Sequence, residues 1–296
     1  MTPRAVHQMR ILHPADGIVA FYDGRVEGYR FAQDPNWVDD GALVLGIASY
    51  AIVDDDEALI YDTHVSVEHA RFVREALEAD GVERFVVVLS HKHLDHIAGT
   101  EAFADCEVIA TTRTAEALAR HQSAIEAGTQ AGPPGIDPLV LPTRTFEDRM
   151  TLDVGRRRVE LIHVDIHSDD AAVIWLARER LLLAGDTLED TVTYVDKPDA
   201  LDRHLADLER LWELGPERIL PNHGDPDIIA GGGYPIGFIR ATRDYIRFLQ
   251  RCAEDPELRE TPLADLVADA AGAGWIRYYA PYEEVHRENV AAVTAR

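Results

Sequence analysis

The sequence predicts an α/β protein, and three observations carry that expectation. Strand-like apolar runs alternate with helix-like periodic segments from about residue 18 to residue 220. One run, Phe85–Leu89 (FVVVL), is the continuous β-branched type expected of a strand buried on both faces. The 296 residues are 46% hydrophobic and 28% charged, which are globular values. A chain of that length buries about three-quarters of its unfolded surface without needing disulfides.

Taken in order, Ile18–Tyr22, the turn pair Asp23-Gly24 and Arg25–Phe31 read as a hairpin. Leu43–Val53 and Ala58–Tyr61 read as strands on either side of the acidic run 54–57, which reads as a solvated turn. Ser66 is positioned as the N-cap of a helix through Asp80, with Val67, Ala70, Phe72, Val73 and Leu77 on its apolar face and Gly81 closing it. After Phe85–Leu89 come a strand at Glu107–Ala110 and a helix at Thr114–Ala127. The proline- and glycine-rich stretch Gly128–Pro142 is the clearest loop. Strands follow at Met150–Val154, Val159–Val164, Ala172–Leu176 and Arg180–Ala184, then a helix at about Leu201–Leu214 and a strand at Arg218–Leu220. From Tyr234 the pattern turns helical: Ile236–Cys252, Pro262–Ala271 (with Thr261 as N-cap) and Pro281–Val293. The shift at Gly231-Gly232-Gly233 divides a core, residues 1–233, from a helical C-terminal extension, residues 234–296, packed on it.

Charge excludes several classes of partner. With 29 Lys and Arg against 53 Asp and Glu, the net charge is −24, which opposes nucleic acid and anionic membranes alike. Lys92 and Lys197 are the two lysines; the other basic residues are arginines. Cys106 and Cys252 form no CxxC pattern, so a thiolate zinc site is not expected. The segment MTPRAVHQMRILHPADG has no apolar core of signal-peptide length, and the longest apolar stretch, Ala42–Val53, is too short to span a bilayer. A cytoplasmic protein is the expectation. Neither a G-x-S-x-G elbow nor a P-loop is present, and the glycine run lacks a dinucleotide-binding context.

One segment concentrates the chemistry: Ser90-His91-Lys92-His93-Leu94-Asp95-His96, immediately after the buried strand. Alternate side chains of an extended segment share a face, so His91 and His93 converge while Lys92 points away. Asp95 and His96 follow as the chain turns, and face a second point nearby. Three imidazoles and a carboxylate at a strand end suit a borderline-soft cation such as Zn²⁺.

This H-x-H-x-D-H segment resembles the signature of the metallo-β-lactamase-fold superfamily. The other parts of the pattern are found in order: Asp62 after Leu59-Ile60-Tyr61, His167 in His163-Val164-Asp165-Ile166-His167-Ser168, Asp186 in Gly185-Asp186-Thr187, and His223 in Leu220-Pro221-Asn222-His223-Gly224. The resemblance covers about residues 43–225. His163 competes with His167 but lies within the preceding strand, and ranks below it. His64, His69, His121, His204 and His286 are read as structural, with His64 near enough to Asp62 to line the site.

The resemblance implies a four-layer αβ/βα sandwich with a helical C-terminal extension and a dinuclear centre. One metal would take His91, His93 and His167, the other Asp95, His96 and His223, with Asp186 bridging. Two Zn²⁺ are implied, with Fe or Mn as alternatives. The implied chemistry is hydrolysis by a metal-bridging hydroxide, with Asp95 also orienting the nucleophile or carrying a proton, and Asp62 buttressing the metal loop. The substrate expected is a small-molecule ester, lactone, thioester or amide. The alternatives are a phosphodiesterase or phosphotriesterase, a mononuclear-iron persulfide dioxygenase-like oxidoreductase, and a module that binds metal without turnover.

Departures from the family pattern narrow the substrate. β-Lactamases of this superfamily generally carry Cys or Ser where Asp186 stands, and flavo-di-iron proteins carry Glu where His93 stands. Acyl-homoserine lactonases add a tyrosine where this chain has Glu189, with Tyr194 further on. Glutathione-binding residues like those of glyoxalase II have no clear match. His64, Glu189 and Tyr194 are expected to line the substrate pocket. The Gly128–Pro142 loop, Trp275, Tyr278, Tyr279 and Tyr282 either shape it or serve packing. A homodimer is left open.

Overall fold

A computed structural model of the chain describes residues 6–295. Its twelve strands form two mixed sheets. The first follows chain order: β1 (Arg10–Ala15), β2 (Ile18–Asp23), β3 (Ile47–Asp54), β4 (Glu57–Tyr61), β5 (Arg84–Val88), β6 (Glu107–Thr111) and β7 (Arg144–Phe146). The second has the order β12 (Arg218–Pro221), β11 (Leu181–Gly185), β10 (Ala172–Leu176), β9 (Arg157–His163), β8 (Arg149–Val154). The helices are α1 (Val67–Ala79), α2 (Leu94–Ile97), α3 (Thr112–Glu126), α4 (Leu201–Leu214), α5 (Pro226–Ala230), α6 (Gly237–Glu254), α7 (Leu263–Leu266), α8 (Ala268–Gly272) and α9 (Tyr282–Thr294). This is the element content of the αβ/βα class, with a helical C-terminal extension. The chain divides into two compact units, Met1–Leu161 and Ile162–Arg296.

In the first unit, β1 to β4 pair antiparallel and β4 to β7 pair parallel. The change of direction at β4 follows from α1, which carries the chain back so that β5 runs alongside β4. Ser66 caps α1, its Oγ accepting from His69 N at 3.3 Å. The helix buries His69, Ala70, Val73 and Leu77, a stripe at helical spacing. Ala70, Val73 and Leu77 pack with Ile60, Val87 and Phe103 in one apolar cluster. Each Val or Leu removed from water there contributes about 1.5–3 kcal/mol. The turn at 54–57 is solvated, and held from outside by Arg84 on Asp56 and Glu57 and by Arg156 on Asp54 and Asp55.

Four expectations need correction. Arg25–Phe31 is not a strand: β2 pairs with the preceding β1 and with β3. The expected turn residue Asp23 is fully buried, with Oδ2 at 3.0 Å from His69 Nε2. Leu43 ends a π-helical turn, Val38–Leu43, and the strand begins only at Ile47. Gly46 explains the break, since its φ of +76° and its approach to the Tyr22 hydroxyl exclude a side chain. Phe85 and Val86, in β5, are half-buried rather than covered on both faces. The helix at 262–271 is two short pieces, because Val267 leaves helical geometry at φ −96°, ψ 2°.

In the second unit β10 and β11 pair antiparallel, while β11 and β12 pair parallel. Every residue of β10 and β11 is buried, as their apolar sequences AVIWL and LLLAG require. The long helix α6 buries Phe238, Ile239, Thr242, Tyr245, Ile246, Leu249 and Cys252 at three- and four-residue spacing. Asn289 of α9 ties this extension to the segment after β11, with Oδ1 accepting from Val195 N at 2.8 Å and Nδ2 donating to Thr193 O at 2.9 Å. Among the described residues no helix is long and apolar enough to cross a membrane.

Candidate metal centre

Parallel pairing sets the carboxyl ends of neighbouring strands side by side, where an α/β sheet presents its ligands. β4 and β5 are such a pair, and Asp62 and the Ser90–His96 segment leave from their ends. β11 and β12 are another, leading into Asp186 and His223.

Asp62 organises the first group. It sits at φ +67° and is 1% exposed. Its Oδ1 accepts from Ser90 N at 2.6 Å and its Oδ2 stands 2.9 Å from His96 Nδ1. The backbone completes the clasp, with Asp62 N donating to Val88 O at 2.9 Å and Thr63 N donating to His96 O at 2.7 Å. Ser90 Oγ lies 2.9 Å from His91 Nδ1, which turns the other ring nitrogen outward from that contact. The His91 ring centre is 4.5 Å from that of His93 and 4.3 Å from that of His96, and Asp95 Oδ1 is 3.5 Å from His96 Nε2.

The second group has one shared atom. Asp186 Oδ2 is 3.8 Å from His167 Nε2 and 3.4 Å from His223 Nε2. His167 holds φ +68° in a tight turn closed by Ser168 N donating to Ile166 O at 2.8 Å. A histidine in the left-handed region costs about 1–3 kcal/mol and persists where surrounding contacts enforce it. Asp62, His64 and His167 are three of the six described non-glycine residues with positive φ, so strain concentrates here.

Two sets of side chains each bring ligand atoms within 4.8 Å of one another: His91, His93, His167 and Asp186, and separately Asp95, His96 and His223. The donor chemistry fits a cation, because four atoms at about 2.0–2.1 Å from a tetrahedral ion lie about 3.3 Å apart. Imidazole and carboxylate donors suit zinc, iron and manganese rather than a purely oxygen-seeking cation.

The remaining expected site residues fall as follows. His163 is in neither set; its Nε2 lies 3.0 Å from Asp169 O. His64 is fully buried and stacked on His69 with ring centres 4.7 Å apart. Burial pushes its pKa well below the ordinary range, and the neighbouring His69 adds to the effect. Tyr194 is half-buried and packs edge-on against the His167 ring, 5.9 Å between centres. Glu189 is 2% exposed and lies 3.2 Å from His167 Nδ1. Sequence reasoning passed over Gly99. A Cβ there would strike Thr63 O and Ala70 Cβ and stand 2.9 Å from Ser66 O, so only glycine lets the metal segment close onto α1.

The chain belongs to the metallo-beta-lactamase superfamily, whose family model matches residues 42–223. It is similar to a linear primary-alkylsulfatase of Pseudomonas sp. (strain ATCC 19151), 23% identical over 64% of this chain and 43% of that protein. It is also similar to the beta-lactamase-like protein 2 homolog of Caenorhabditis elegans, 25% identical over 47% of this chain and 41% of that protein. The chain thus spans less than half the length of these two relatives. The crystal structure of DIM-1 metallo-beta-lactamase exposed to ceftazidime aligns with a TM-score of 0.58 at 21% identity, covering 82% of this chain and 98% of that one. That likeness is one of fold.

Proposed function

We propose that the chain is a dizinc hydrolase acting on a small-molecule ester, lactone, thioester or amide. The observation that carries this reading is the position of Asp186, whose Oδ2 approaches both His167 and His223 and so links the two ligand sets. His91, His93 and His167 would hold one ion, Asp95, His96 and His223 the other. Bound ions supply acidified water and polarisation of the scissile group. The chain's own residues do the rest. Asp62 fixes the His96 ring through Nδ1, and Asp95, still partly accessible, is the carboxylate able to orient a water or return a proton to the leaving group. The buried, neutral His64 makes no charge contribution of its own at neutral pH.

We further propose that residues 1–233 form the catalytic domain and 234–296 an extension packed on it. The expected partner is a small molecule rather than nucleic acid or membrane, in keeping with a charge of −24. A cytoplasmic location and the availability of a homodimer belong to the same reading.

A second reading, hydrolysis of a sulfate ester, draws on the similarity to a linear primary-alkylsulfatase, and the phosphodiester and phosphotriester alternatives belong with it as tetrahedral ester centres. The test is a panel of lactones, thioesters, aryl esters, alkyl sulfates, phosphodiesters and a cephalosporin, run with the zinc-loaded protein and its Asp186→Asn variant. Turnover of a carbonyl substrate that Asp186→Asn abolishes is the expected result. Turnover confined to sulfate or phosphate esters selects the second reading. Oxygen uptake by a protein holding one iron overturns both.

A further inference from the structure

The segment that follows Asp186 is irregular, yet its polar groups are engaged on two sides. Towards the ligand turns, Asp196 N donates to His167 O at 2.9 Å and Asp190 N donates to His223 O at 3.1 Å. Towards the C-terminal extension, Arg277 N donates to Asp190 Oδ1 at 2.8 Å, Tyr279 N donates to Thr191 Oγ1 at 2.8 Å, and Asn289 clasps Thr193 and Val195. At the centre stands Glu189. Its Oε1 accepts from Tyr194 N at 2.9 Å and lies 3.2 Å from His167 Nδ1; its Oε2 accepts from the Tyr282 hydroxyl at 3.1 Å. Glu189 is 2% exposed and Tyr282, at the start of α9, is fully buried.

We propose that Glu189 is a positioning residue for the metal ligand His167, and that Tyr282 of the C-terminal extension holds Glu189 in place. The inference rests on the reading of His167 as a ligand, and gives the extension a role in the centre. His167 presents Nε2 towards Asp186 and Nδ1 towards Glu189. The Glu189 carboxylate stands 3.2 Å from Nδ1 at ion-pair distance rather than in hydrogen-bond alignment, and its charge favours the proton on that nitrogen, which leaves the Nε2 lone pair for a cation and raises its donor strength. A buried carboxylate needs partners of its own, which Tyr194 N and the Tyr282 hydroxyl supply. Tyr282 lies 93 residues from Glu189, at the N-terminal end of α9, so this support comes from the C-terminal extension.

The test uses Glu189→Gln, Tyr282→Phe, Asn289→Ala and His167→Ala in the full chain, with zinc affinity from chelator competition and the visible spectrum of the cobalt-substituted protein. Glu189→Gln is expected to weaken one of two ions about 10- to 100-fold and to move the cobalt bands. Tyr282→Phe, which removes one hydroxyl, is expected to move the same bands less. Asn289→Ala loosens the segment and reaches Glu189 only through Thr193, whose hydroxyl donates to Glu189 Oε1 at 3.3 Å, so it is expected to lower stability and to move the bands less than Tyr282→Phe does. Wild-type affinity and bands in both Glu189→Gln and Tyr282→Phe overturn the proposal, as does an Asn289→Ala shift as large as that of Tyr282→Phe. His167→Ala separates the two levels. If it keeps both ions, the ligand reading fails; if it loses one while the Glu189 and Tyr282 variants keep wild-type spectra, only the present inference fails.

Discussion

Replacing Asp62 tests how the metal segment is held before any cation binds. Its carboxylate takes two buried contacts, from Ser90 N at 2.6 Å and with His96 Nδ1 at 2.9 Å. Hydrogen bonds to a charged group are worth about 1.5–3 kcal/mol each, so removing both exposes a loss of about 3–6 kcal/mol. Alanine also tolerates φ +67° less well than aspartate, by roughly 1 kcal/mol. Part of this loss is offset because a buried charge is no longer desolvated, which leaves about 3–5 kcal/mol for Asp62→Ala. Asp62→Asn keeps one acceptor and the left-handed backbone preference, and is expected to cost about half as much. The assay is urea unfolding of the metal-free protein, followed by chelator competition, where either change is expected to weaken zinc about 10- to 100-fold. The reasoning is refuted if Asp62→Ala unfolds within about 1 kcal/mol of wild type and binds zinc as tightly.

Two further substitutions probe separate parts of the argument. Gly99→Ala drives a methyl into Thr63 O and Ala70 Cβ, and backbone atoms cannot step aside; a loss of about 3 kcal/mol or more is expected by urea unfolding, and wild-type stability would show that the contact relaxes freely. His204 is fully buried, neither ring nitrogen makes a hydrogen bond, and burial lowers its pKa from 6.5 to about 4. The unfolded chain takes up this proton below about pH 6.5 while the folded one resists until about 4, so stability is whole above pH 6.5 and falls as pH drops through that window. The contribution is on the order of 3 kcal/mol, and His204→Leu is expected to flatten the acid limb by that amount; an unchanged pH slope would show that His204 does not set it.

How much of this was legible in the sequence depends on how far each residue's partner lies along the chain. His91, His93, Asp95 and His96 are close enough in sequence for spacing alone to announce a site, and strand-end geometry does the rest. Asp62, His167, Asp186 and His223 carry no local signal of comparable weight, and are legible only through the ordered resemblance. The hairpin misread at Asp23-Gly24 has the same origin. That pair reads as a turn locally, but the Asp23 carboxylate is committed to His69, 46 residues on. Nothing near Glu189 in the sequence betrays Tyr282, 93 residues on, as its partner. The α/β class, by contrast, rests on short-range periodicity and needed no distant information.

Elemental analysis of the purified protein and two variants reaches the central claim most directly. Two zinc ions per chain are expected for wild type, with one lost in His93→Ala and one in His223→Ala, because these residues belong to different ligand sets. A single iron in the wild type, or both ions retained in either variant, would contradict the dinuclear centre.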